Sequence, residues 1–221
     1  RFLQSPAGMN RITILFLLLI LLVSCNRTKK EYWPNGNKKS EIAMKGDLYD
    51  GNAFYWDERG NIMTACTYKE NLLDGVLRSY YITGRVHEEQ HFSGGVLNGS
   101  VKAWDETGKL MSDGNYRNGI LHGKYSEYYP NKALKLEGNY VEGNHEGIWL
   151  YYDPSGQIIG EGSFTGGTGV QKAYYDNGKT RQVTHYTKNE KDGDEVFYKP
   201  DGSIEIINKY QEGKLIDKIK N

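Results

Sequence analysis

Ser100 to Gly123 reads SVKAWDETGKLMSDGNYRNGILHG, and nearly all of the chain is a variation on it. Stepping by 24 residues from Gly108 reaches Gly36, Gly60 and Gly84 on one side and Lys132 and Gly156 on the other. A shorter step of 22 then reaches Gly178, and Gly202 follows at 24, which makes eight repeats. Four residues before these positions the residue is always aromatic: Tyr32, Trp56, Tyr80, Trp104, Tyr128, Tyr152, Tyr174 and Tyr198. Eight residues after them a second column reads Met44, Tyr68, Phe92, Tyr116, Tyr140, Phe164, Tyr186 and Tyr210. Three residues farther on stand Asp47, Asn71, Gly95, Gly119, Gly143, Gly167, Asn189 and Gly213, all residue types that tolerate positive φ. A closing column holds Gly51, Gly75, Gly99, Gly123, Gly147, Gly169 and Gly193, with Asp217 in the last repeat. A fixed period of this length marks a repeat array.

The turn chemistry says what each repeat is. Pro34-Asn35-Gly36, Pro154-Ser155-Gly156 and Pro200-Asp201-Gly202 share one phase, and Pro130-Asn131-Lys132 joins them with lysine in the glycine position. Proline presets φ for the first central residue of a type I turn, a small polar residue suits the second, and glycine takes the left-handed position that follows in a three-residue hairpin with a bulge. Each repeat is therefore predicted to be a β-hairpin. Ile62, Val86, Leu110, Leu134, Ile158 and Ile204 lie two residues past the turn glycine. Counting by twos from them reaches the second aromatic column, which predicts that both sit on one face. A second turn such as Gly119 to Gly123 then leads into the next hairpin. The expected fold is all-β, an elongated antiparallel sheet or solenoid of eight tandem hairpins, with a four-bladed propeller of the same 16 strands as the minor alternative. Strands about 4.8 Å apart make such a sheet roughly 75 Å long. Repeat six shortens its second loop to Gly166-Gly167-Thr168-Gly169, which predicts a local change of twist or bend.

The 221 residues include 27 glycines and 18 tyrosines, with a mean hydropathy of −0.70, which suits a thin extended architecture better than a thick globular core. Near the front, Arg11 and the apolar run Ile12 to Val23 end in Leu22-Val23-Ser24-Cys25. The run has the length of a signal-peptide apolar region and resembles a bacterial lipobox. Residues 1–24 read as a signal peptide with an upstream extension, Cys25 as the lipidated residue, 25–30 as a short tether, 31–217 as the array and 218–221 as a tail. The expected location is a bacterial envelope membrane, to which a multiply acylated cysteine would hold the chain. Without residues 1–24 the chain has 26 basic and 28 acidic residues, a balance that argues against nucleic acid. Cys66, inside a predicted strand, reads as a small apolar side chain.

The pattern of Trp104 to Gly123, an aromatic residue followed by Gly-Lys-Leu, a later Tyr, Asn-Gly and a closing Gly, resembles the MORN-variant repeat. The resemblance spans about Glu31 to Asp217 and implies an antiparallel hairpin array. Bacterial arrays of this kind are grouped with the antitoxin component of a toxin–antitoxin module, which implies a protein toxin as partner.

Residue chemistry points away from catalysis. The acids Glu41, Glu89, Asp113, Glu137 and Glu161 recur at one repeat position, about 9.6 Å apart in consecutive repeats, and read as a solvated face balanced by lysines. Metal ligands must converge within about 2 to 2.6 Å of one ion, which such spacing forbids. His87, His91, His122, His145 and His185 occupy unrelated repeat positions. No cofactor, metal or enzymatic activity is expected. The aromatic column Tyr32, Trp56, Tyr80, Trp104, Tyr128, Tyr152, Tyr174 and Tyr198 is the candidate binding surface, although such rows can equally be the packing of a thin sheet. The expected function is that of a membrane-anchored protein-interaction module, antitoxin-like by resemblance, with a cell-wall or glycan-binding module as the alternative. The partners expected are an envelope, secreted or toxin protein, the bilayer through the N-terminus, and glycan in the alternative.

Overall fold

Each turn forces the chain back on itself, and the strands follow from the turns. The computed structural model describes residues 26–220, so the expected leader and Cys25 lie outside it. In chain order the strands are β1 (Asn26–Tyr32), β2 (Lys38–Lys45), β3 (Leu48–Trp56), β4 (Ile62–Lys69), β5 (Leu72–Leu73), β6 (Gly75–Tyr80), β7 (Val86–Ser93), β8 (Val96–Trp104) and β9 (Leu110–Arg117). They continue as β10 (Ile120–Tyr128), β11 (Leu134–Val141), β12 (Asn144–Tyr152), β13 (Ile158–Thr165), β14 (Thr168–Tyr174), β15 (Thr180–Thr187), β16 (Glu190–Tyr198), β17 (Ile204–Gln211) and β18 (Lys214–Lys220). Each pairs antiparallel with its neighbours in sequence, giving one open sheet. β5 and β6 both pair with β4 and form one strand interrupted at Asp74, so the sheet has seventeen strand positions rather than the expected sixteen. The extra one is β18, in which Lys218–Lys220, expected as tail, continue a strand from Lys214, while residues 26–30, expected as a tether, lengthen β1, the first arm of the first hairpin. Residues 26–30 pair with Glu41–Lys45 inside the first hairpin, and β18 pairs the outward N–H and C=O groups of β17.

The three-residue turn forms as its chemistry dictates. Gly36 N–H donates to the Trp33 carbonyl at 2.9 Å, Trp33 N–H to the Asn37 carbonyl at 2.8 Å, and Gly36 has φ +87°. The same two bonds recur at every repeat through the last, Gly202 to Lys199 and Lys199 to Ser203. Lys132 takes the glycine position at φ +71°, a left-handed conformation that costs an L-residue energy.

Past this turn the pairing skips one residue. Tyr55 pairs with Thr64 and Trp56 with Ile62, leaving Met63 as a β-bulge, and the other seven hairpins repeat the skip. A one-residue bulge inverts the alternation of faces. The expectation that Ile62 and its equivalents share a face with the second aromatic column is therefore wrong: they pair with the first column, as Trp104 does with Leu110 and Tyr152 with Ile158. The second column lies on the opposite face.

The second turn is also tighter than expected. Arg117 pairs with Ile120, so Asn118 and Gly119 alone make the turn, at φ +51° and +81°, the type I′ signature. Glu70-Asn71, Glu142-Gly143, Lys188-Asn189 and Glu212-Gly213 repeat it, whereas Asp47 does not take positive φ. Gly123 sits beyond this turn, in a bulge that adds two residues between Leu121 and Tyr125. Repeat six lacks that bulge: Phe164 pairs with Gly169 and Thr165 with Thr168 in unbroken register. Its missing two residues come out of the bulge and leave the turn intact.

One face is packed and the other open. The packed face carries Ile42, Met44, Ala53 and Cys66 at one end, all 5% exposed or less. At its centre Tyr125, Tyr140, His145, Trp149, Phe164 and Tyr186 form a continuous aromatic cluster with ring centroids 4.5 to 6.4 Å apart. Near the other end the face turns polar around the buried Glu195.

Candidate functional site

The open face holds the first aromatic column and the acid column. Glu41 and Phe54 are cross-strand partners, as are Ile42 and Ala53 of the packed face, so alternation places the two pairs on opposite sides. Phe54 and Trp56 lie 6.1 Å apart and share the open side. Tyr32, Trp56, Tyr80, Trp104, Tyr128, Tyr152, Tyr174 and Tyr198 thus form one row beside the edge of three-residue turns; Tyr32 is 59% exposed and the rest are half-buried. Their partial exposure lies between the two readings open at sequence level.

Next to that row runs a ladder of paired charges. Arg78 meets Glu89 at 2.7 Å, Lys102 meets Asp113 at 3.6 Å and Lys124 meets Glu137 at 2.8 Å, while Glu41 takes both Lys30 and Lys38. Lys124 beside Glu137 holds that carboxyl below the ordinary glutamate value, as Lys38 does for Glu41. Exposed pairs of this kind contribute little to stability. In repeats five and six the aromatic row closes onto the ladder: the Tyr152 hydroxyl donates to Glu137 at 3.1 Å. The Tyr174 phenol is pushed up to about 12, by burial first and by Glu161 second.

The position just before each three-residue turn, unnoticed in the sequence, alternates with a period of two repeats. Trp33, Tyr81, Tyr129 and Tyr175 stand in odd repeats; Asp57, Asp105, Asp153 and Lys199 stand in even ones. Each odd side chain donates across to the next repeat: Trp33 Nε1–H to the Trp56 carbonyl at 3.0 Å, and the hydroxyls of Tyr81, Tyr129 and Tyr175 to the backbone carbonyls of Trp104, Tyr152 and Tyr198 at 2.6 to 2.8 Å. The aspartates instead accept N–H groups of their own turn, as Asp105 does from Thr107 and Lys109 at 2.9 Å. Turns are thereby clasped in pairs. The alternation is visible in the chain, but a 24-residue ruler averages over it.

The histidines remain apart. His87 meets Tyr81 edge to face with ring centroids 4.6 Å apart, His91 Nδ1 lies 3.0 Å from the Ser100 carbonyl oxygen, and His185 Nδ1 lies 2.8 Å from that of Asp194. His122 faces Glu142 and His145 sits in the aromatic cluster. Cys66 is 5% exposed and burial pushes its thiol up, which disfavours the reactive thiolate. No group of three or more His, Cys, Asp or Glu among the described residues could hold a metal ion.

Residues 97–118, 121–142, 146–165 and 168–188 match the model of the MORN repeat variant. The four matched stretches together make up 85 of the 221 residues. Each begins just past one two-residue turn and ends within or just before the next, so the unit that matches is the hairpin around a three-residue turn, and the type I′ turns are its junctions. The MORN-variant stretches carry the aromatic positions Trp104, Tyr128, Tyr152 and Tyr174. No curated protein matches the chain.

Proposed function

We propose that the open face is a protein-recognition surface and that the chain works by binding, without catalysis, while held to a bacterial envelope membrane through an acylated Cys25. What carries this reading is the aromatic row from Trp56 to Tyr198, half-exposed along one edge beside a ladder of fixed charges. Large rings supply contact area at low entropic cost, and flanking charges select among partners. Repeat arrays present such surfaces for extended partners. The resemblance to antitoxin components makes a secreted or envelope toxin one such partner. A glycan reading rests on Trp104, whose ring walls an open hollow able to seat a sugar.

The test places a photoreactive aromatic residue at Trp104, and separately at exposed Lys188 on the other turn edge, in the full chain within intact envelopes. Irradiation should yield an adduct with one protein from Trp104 and none from Lys188. Adducts with glycan alone, or none, would sink the protein-recognition reading.

A further inference from the structure

The repeats can be compared with one another position by position, and one junction is missing a piece that its counterpart has. Where the first repeat meets the second, Lys38 extends its ammonium over the Trp56 ring, 4.9 Å from the ring centroid, and ion-pairs with Glu41. A second base, Lys30 from the adjacent strand, approaches the other carboxylate oxygen at 3.6 Å. Where the third repeat meets the fourth, Trp104 stands in the place of Trp56, Glu89 in that of Glu41 and Arg78 in that of Lys30. Arg78 holds Glu89 Oε2 at 2.7 Å, and Oε1 has no partner among the described residues. Lys38, however, is replaced by Val86, which keeps the same backbone pairing, Tyr80 to Val86 as Tyr32 to Lys38. The space the ammonium would fill is an open hollow of about 540 Å³ lined by Val86, Glu89, Trp104, Arg85 and two turn glycines.

At no other junction among the described residues does an indole face a glutamate across an apolar residue. Tyr152 and Tyr174 answer their acids with phenolic hydroxyls, and the junction between repeats two and three has Ala65 where the acid would be. Arg85 lines the hollow, and its guanidinium is held by the Glu106 carbonyl at 2.7 Å.

We infer that the hollow over Trp104 receives the ammonium of a lysine side chain from a partner protein, seated on the indole face and against Glu89 as Lys38 is seated on Trp56 and against Glu41. An indole face attracts a cation through its quadrupole, and a half-buried carboxylate adds charge. The apolar stem of the incoming lysine lies along Val86, where a stem belongs to Lys38 itself in the first repeat. The inference rests on the reading of the open face as a protein-recognition surface and adds the chemistry of one contact.

The experiment titrates the full chain with Nα-acetyl-lysine methylamide while the indole N–H resonance of Trp104 is followed. One cation–π contact and one exposed ion pair predict a Kd on the order of 100 mM. The expected result is a saturable shift at Trp104, abolished in Glu89→Gln and in Val86→Lys, which fills the hollow from within, and absent with the Nε-acetylated probe. Unchanged amide spectra in both variants show that they fold. No shift, an equal shift with the neutral probe, or a shift that survives Val86→Lys overturns the assignment. A protein photoadduct at Trp104 undiminished by Val86→Lys would overturn the lysine contact and leave the recognition reading standing; a shift with the charged probe and no protein adduct would do the reverse.

Discussion

Trp149 is 2% exposed because glycines face it across the sheet. Its cross-strand partner is Gly162, and a methyl group built on Gly138 would overlap the indole. Tyr125 lies over Gly114 in the same way, a Cβ there falling 2.9 Å from the ring. These mid-strand glycines do not serve turns; they clear room for the largest side chains of a single-layer sheet. Gly138→Ala should destabilise by about 1 to 3 kcal/mol through overpacking, measured by urea unfolding, and Trp149→Leu added to it should recover part of the loss. At the same cluster, burial holds the His145 imidazole below its ordinary 6.5, with hydrogen bonding to Asn189 opposing. The folded state thus prefers neutral His145, and below 6.5 the unfolded chain binds more protons. Stability should fall as pH drops from 6.5 toward the folded pKa, and the melting temperature of His145→Phe should depend less on pH over that interval. Equal slopes for the two proteins would exclude the effect.

At the scale of the hairpin, the turns supply what a thin sheet cannot draw from a core. The N–H of Gly119 donates to the Leu97 carbonyl of the preceding junction, that of Gly143 to Leu121 and that of Gly213 to Lys191, so the type I′ turns are stacked by hydrogen bonds at 2.8 to 2.9 Å. Across the shortened repeat a side chain from the seventh strengthens this stack. Asn189 spans two repeats, its Oδ1 accepting from His145 N–H at 3.0 Å and its Nδ2 donating to the Gly143 carbonyl at 3.1 Å. Any Cβ at Gly167 would meet that Oδ1 at 2.6 Å. On the other edge, Lys132 is the one non-glycine among the eight three-residue turns that takes positive φ. Lys132→Gly should therefore stabilise the protein by about 1 kcal/mol, read as a higher urea midpoint with an unchanged slope.

Across the whole molecule the packed face changes character from aliphatic to aromatic to polar. At the polar end Glu195 is 3% exposed and accepts from Gln182 and Asn208, both at 2.9 Å, from Tyr210 at 3.3 Å and from Lys191. Burial pushes its carboxyl up, but Lys191, Asn208 and Tyr210 together pull it below the ordinary 4.5. The ionised form is the folded one. Its contribution is present above pH 4.5 and is lost as the pH falls through the folded value. The last two repeats should then open first on acidification, seen as accelerated amide exchange in β15 to β18 while β9 to β13 stay protected. Glu195→Gln should weaken these strands at neutral pH and flatten their acid dependence.

By itself the sequence determined the number and phase of the repeats, the position of both turns and the two aromatic columns. Those features rest on φ preferences of Pro, Asn and Gly within four or five residues of one another, and such local chemistry survives without knowledge of neighbours. The three-dimensional structure alone decided which column faces which side. One bulged residue, Met63 in the second hairpin, inverts the alternation, and no side-chain pattern marks where a sheet will place its extra residue. It also decided that turns clasp in pairs and that Trp104, Glu89 and Val86 meet around a hollow, because that meeting depends on which strands lie side by side.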